Sequence, residues 1–153
     1  MVRFKWAGWW LGLMVGAGSP VAAQVFAPAP KVELEDPYPN PLGAATTIPF
    51  KISPELCVRG HQPVVSLRIF NSLVQVVAIP VLVSGSGQAI DFVRLSCGEH
   101  RAYWDGKYLD GKREAGAGVY YYQLTVDGER YTRKMIVMRR ITPQREPTVR
   151  SEK

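Results

Sequence analysis

The chain is 153 residues long, with a formal net charge of +6, 46% hydrophobic residues and 21% charged residues. That composition is globular rather than disordered, and the length admits one domain with tails rather than a multi-domain enzyme. The basic balance raises nucleic acid or an anionic surface as a partner, a reading that depends on where the charge sits.

Residues 1–23 read as a secretory signal peptide. Arg3 and Lys5 form a positive start, and residues 6–18 are an uncharged, mostly apolar run. A bilayer span needs roughly 20 apolar residues, so the run is short for a transmembrane helix. Val21-Ala-Ala23 offers small residues for cleavage between Ala23 and Gln24. The expected location is therefore outside the cytoplasm: periplasm, cell surface or exterior, with no membrane span left after cleavage. Removing Arg3 and Lys5 lowers the net charge from +6 to +4. Residues 139–153 carry +3 of that, which leaves +1 on the body, so nucleic acid is not an expected partner.

Residues 24–37 are dense in Pro and Ala and read as a leader in extended geometry. The domain is expected over 38–139, with 140–153 a disordered basic tail. From Thr46 the pattern is short strands with turn signals. Residues 46–52 and 64–70 are strand candidates; in the second, Val65, Leu67 and Ile69 share a face while Ser66 and Arg68 point away. Residues 74–83 form a long β-rich run interrupted by Pro80, so it should bend there or lie at an edge. Residues 84–87 are a flexible turn, and 88–95 and 101–104 are further strand candidates. Residues 118–126 place Tyr120, Tyr122, Leu124 and Val126 on one face. Asp127-Gly128 is a type I′ hairpin dipeptide, and 131–138 returns with Tyr131, Met135 and Val137 aligned. No stretch after Gln24 shows helical periodicity. The expectation is an all-β fold, an immunoglobulin-like sandwich of about seven antiparallel strands.

Several stretches follow one another along the chain: Tyr38-Pro-Asn-Pro41, Thr46-Thr-Ile-Pro-Phe50, Val65-Ser-Leu-Arg-Ile-Phe-Asn71, Tyr103-Trp-Asp-Gly106, Gly116-Ala-Gly-Val-Tyr-Tyr-Tyr-Gln-Leu124 and Lys134-Met-Ile-Val137. Together they resemble the FlgD-like immunoglobulin-type domain of flagellar hook-capping proteins. A closely similar module is the C-terminal sorting domain of cargo secreted by the bacterial type IX system. The resemblance covers roughly residues 37–139 and implies the sandwich fold, with Trp104 plugging its core.

Cys57 and Cys97 are the two cysteines, and an even count in an exported chain favours a disulfide. A competing arrangement stays open. Cys57-Val-Arg-Gly-His61 and Cys97-Gly-Glu-His100 each pair a Cys with a His, so two converging loops could form a structural zinc site; free thiols are the third possibility. Catalytic signatures are missing: there is no G-x-S-x-G, no glycine-rich loop before a helix, and no context that makes His61 or His100 a base. Asp105, Asp110 and Glu114 could line a cation site, but turn chemistry accounts for them better. Tyr120 to Tyr122 could be a stacking platform, with core packing and cross-strand pairing the competing account. The expected function is a non-enzymatic, exported structural or adhesion module of the bacterial envelope or exterior, without catalytic residues, cofactor or metal, contacting a protein or glycan. The alternative is a type IX-like sorting domain without attached cargo.

Overall fold

The computed structural model describes residues 29–84 and 87–138. The segment 1–23 expected to be a signal peptide, the expected Ala23–Gln24 cleavage and the expected tail 140–153 lie outside the described residues. Nine strands run through the described chain: β1 (Val32–Leu34), β2 (Thr46–Ile52), β3 (Val64–Phe70), β4 (Val76–Ala78), β5 (Val81–Leu82), β6 (Val93–Arg94), β7 (Gly98–Trp104), β8 (Gly118–Val126) and β9 (Glu129–Val137). They form two antiparallel sheets. The first has the order β1-β2-β7-β5 and the second β4-β3-β8-β9, with β6 also on β3. This is the immunoglobulin order, A-B-E-D against C′-C-F-G.

Alternation explains which side faces in. Ile48, Phe50 and Ile52 of β2 meet Val65, Leu67 and Ile69 of β3, and all six are buried. Tyr122, Leu124 and Val126 of β8 and Met135 and Val137 of β9 complete that core. Trp104 closes one end of it, its Nε1 donating to the Lys107 carbonyl at 2.8 Å. Asp127 and Gly128 both have positive φ, 48° and 90°, as the two-residue turn requires.

Two expectations are corrected, and a third, between them in the chain, is met. The stretch 24–37 is not all leader: Val32 and Leu34 are buried, Glu33 is exposed, and β1 pairs with β2 as an edge strand. The sandwich thus begins inside the Pro-rich region, in a gap between prolines just long enough for one short strand. Residues 74–83 break at Pro80 and lie at sheet edges, as expected. At Ile79-Pro80 the chain leaves the second sheet (β4) and joins the first (β5), because proline lacks the N–H that a continuous ladder needs. Residues 88–95 cross between the sheets instead of forming a full strand. The Gln88 carbonyl accepts from Leu82 N–H on one side, the Ile90 carbonyl accepts from Leu67 N–H on the other, and Ile90 is buried between them. That crossing also buries Ser66, whose Oγ accepts from Phe92 N–H at 2.9 Å.

Candidate recognition surface

The sulfur and imidazole groups go into the scaffold. Cys57 sits in a 3-10 turn after β2 and Cys97 just before β7, and the two are joined in a disulfide with Cα atoms 6.0 Å apart. It clamps the β2–β3 connection to the end of the first sheet where Ile52 faces Gly98. With both thiols in that bond, no thiolate remains for zinc. The histidines also part company. His61 Nε2 lies 2.8 Å from Asp127 Oδ2, while Asp127 Oδ1 accepts from Val64 N–H at 2.9 Å. The bond to His61, then that from Val64, holds the Asp127 carboxyl below its usual range. His100 stacks on Phe50, ring centroids 5.3 Å apart, and its Nε2 lies 2.8 Å from the Ser96 carbonyl. Among the described residues no group of three or more His, Cys, Asp or Glu could hold a metal ion.

The acidic residues of the β7–β8 connection act as turn formers. Asp105 Oδ1 accepts from Lys107 N–H, and Asp110 Oδ1 accepts from Lys112 and Arg113 N–H. Arg113 Nε donates to Asp110 Oδ2 at 2.7 Å, and the Arg113 guanidinium lies over the Tyr108 ring. Glu114 pairs through its backbone with Lys107. The Arg113 side chain first, then the two amides, bring the Asp110 carboxyl down to about 2. A depressed carboxyl favours the folded state above the unfolded value, and that contribution fades as pH falls toward 2. Carboxyl NMR titration should therefore place the Asp110 midpoint near 2 in the native protein and appreciably higher in Arg113→Ala. Equal midpoints in the two proteins would refute this account of the loop.

The tyrosine run divides by face. Tyr120 packs on Trp104 and its hydroxyl donates to the Gly116 carbonyl four residues back, the tyrosine corner of immunoglobulin-like sandwiches. Tyr122 is fully buried and donates to the Glu35 carbonyl at 2.8 Å, tying β8 to the segment after β1. Burial pushes its hydroxyl up to about 12, so it stays a neutral donor. Tyr121 points outward.

Around Tyr121 the outer face of the second sheet exposes several apolar side chains, bordered by the polar residues Asp36, Asn40, Thr132, Arg133 and Lys134. Tyr121 lies between Phe70 and Lys134, Phe70 pairs with Val76, and Val119 with Ile136. Val76, Val119, Tyr121, Ile136 and Met138 are each about two-fifths or more exposed. The other end of this face is occupied: Arg68 pairs with Asp91 at 3.0 Å and lies against the Phe92 ring. Beside the open end, the β3–β4 turn projects Leu73 and Val74, 75% and 78% exposed. Asn71 pins that turn, its Oδ1 accepting from Leu73 and Gln75 N–H. Val74 has φ 60°, a conformation a β-branched residue rarely adopts. Asn71 and Ser72 are turn formers, but nothing in the sequence marks Val74 for a left-handed conformation.

No helix among the described residues is long and apolar enough to cross a membrane. No family model matches the chain, and no curated protein matches it. Among solved structures it is similar to PorZ of Porphyromonas gingivalis, an essential bacterial surface component of the type IX secretion system. That likeness has 18% sequence identity and a TM-score of 0.39, and it covers 71% of this chain but 11% of PorZ.

Proposed function

We propose that the protein is a non-enzymatic, exported immunoglobulin-like module of the bacterial envelope or exterior, and that it holds a protein partner on the outer face of its second sheet. The observation that carries this reading is the open apolar end of that face, flanked by a turn that presents Leu73 and Val74 at the expense of backbone strain. The two thiols and the two imidazoles are meanwhile engaged in structural contacts: the thiols with each other, His61 with Asp127, and His100 with Phe50 and Ser96. Export rests on the signal-like segment 1–23 and agrees with the disulfide. The face suits a protein because a preorganised apolar patch with aromatic and aliphatic anchors gains from desolvation at little ordering cost.

The test is envelope fractionation of the host. Tyr121→Ser/Ile136→Ser should release the protein from the envelope fraction while its circular dichroism and melting temperature stay near wild type. Undiminished retention of that folded variant would refute the reading. The ordered motifs ending at Lys134-Met-Ile-Val137 on β9 favour a second reading, a type IX-like sorting module. A reporter fused to residues 37–153 and delivered to the surface only in type IX-competent cells would support sorting.

A further inference from the structure

On the other side of the molecule a hollow of about 270 Å³ opens between the β5 edge and the turn after β7. Tyr103, Asp105, Lys107, Tyr108 and Leu109 line one wall, and Ile79 and Val81 are among those lining the rest. We propose that this hollow is a saccharide-binding subsite, taking one sugar residue of a neutral glycan. The inference does not rest on the protein-binding face described above.

Four features of the walls lead there. Tyr103 pairs with Val81 and Thr47, points away from the core, and is 42% exposed, so its ring is open to a ligand. An aromatic ring with a wet hydroxyl suits the apolar C–H face of a pyranose and the hydroxyls around it. The polar groups are of both kinds. Asp105 spends Oδ1 on the Lys107 amide, while its Oδ2, the Lys107 ammonium and the Tyr103 and Tyr108 hydroxyls have no hydrogen-bond or ion-pair partner among the described residues. With both residues in the lining, a carboxylate can accept from one sugar hydroxyl and an ammonium can donate to another. An ion of either sign would meet a like charge there, and a wholly apolar ligand would make no use of either polar group. The size is just below the roughly 300–1,000 Å³ of pockets for drug-sized ligands, which fits a single sugar residue.

The wall is also held in place before any ligand arrives. Trp104 Nε1 donates to the Lys107 carbonyl at 2.8 Å, Tyr108 N–H to the Arg113 carbonyl at 2.8 Å, and Leu109 N–H to the Val77 carbonyl at 2.7 Å. Arg113 fixes the Tyr108 ring. A turn anchored to its own sheet, to the next turn and to β4 loses little entropy on binding.

The test uses ¹⁵N-labelled protein and four probes at millimolar concentration: the methyl glycosides of glucose, galactose, mannose and N-acetylglucosamine. At least one should shift the amide signals of Tyr103, Lys107 and Leu109. Tyr103→Ala should abolish those shifts. Asp105→Asn retains the oxygen that accepts from Lys107 N–H but loses the charge, and should weaken binding about tenfold or more. Both variants must keep the wild-type melting temperature within a few degrees; if Tyr103→Ala does not, Tyr103→Leu replaces it. No shift with any probe, shifts confined to the Tyr121 face, or undiminished shifts in the folded Tyr103 variant would each overturn the assignment.

Discussion

Replacing Cys57 and Cys97 together with Ser is expected to lower the unfolding free energy by about 4 kcal/mol. The bond closes a loop with a sequence separation of 40 residues. In the chain-entropy account that closure removes freedom from the unfolded chain, so the loss appears with little change in the folded structure. The local setting supports this. Cys97 and Leu56 pack against the core from the rim, and no residue of the 3-10 turn Pro54–Gly60 is fully buried. The turn contributes little burial of its own, and the covalent bond is its main anchor. A domain of this size has a total stability of about 5–15 kcal/mol, so the effect is a large share of it. Urea unfolding of the oxidised, reduced and double-Ser forms is the measurement. The melting temperature should fall by roughly 15–30 °C. A loss under about 1 kcal/mol would mean that the unfolded chain is already restricted in this loop.

Gly106→Ala should be the most damaging alanine substitution among the described glycines. Gly106 has φ +73°, and a Cβ there would stand 2.1 Å from the Ala44 carbonyl oxygen and 3.1 Å from its carbon. Neither backbone is free to give way. Leu42 N–H donates to the Ile136 carbonyl and the Leu42 carbonyl accepts from Met138 N–H, so the segment carrying Ala44 is tied to β9. Gly106 in turn accepts from Ala115 N–H at 2.7 Å, next to the Trp104 plug. Strain of the left-handed backbone plus a clash with main chain amounts to a loss of roughly 3–5 kcal/mol. Gly111→Ala is the internal control. Its φ of +66° is similar, but its Cβ would meet nothing within 4 Å. That change should cost only the left-handed penalty, about 1–2 kcal/mol. Equal losses at the two sites, measured by denaturant unfolding, would show that the Ala44 segment relaxes.

Much of the sandwich was legible in the residues because strands leave a local record. The alternation over Thr46–Ile52, Val64–Phe70 and Gly118–Val126 marks the strands to the residue, and Asp127-Gly128 marks the hairpin. Alternation over three residues is too short to stand out, so β1 was hidden among prolines. In 74–83 and 88–95 the residue types favour extended chain throughout. Which sheet such a segment joins depends on partners far away in sequence. Pro80 marked the break, but not that the chain changes sheets there.

The candidate site divides in the same way. That Tyr121 faces away from Tyr120 and Tyr122 follows from alternation. That it lies open, whereas Ser66 on the same face is covered, follows from where the Phe92 loop lands. The hollow beside Tyr103 needs β5, β7 and the 105–109 turn to meet, and no spacing along the chain encodes that.

By itself the sequence determined the all-β class, the inward faces of the long strands, and that the excess positive charge belongs mainly to the chain ends. The tertiary structure decided between zinc and disulfide for Cys57 and Cys97, sent His61 to Asp127 and His100 to Phe50, and chose which parts of two otherwise similar sheet faces stay exposed. The physical reason is range: side-chain alternation is a property of neighbours in the chain, whereas ligation, stacking and exposure depend on groups dozens of residues apart being brought within a few ångströms.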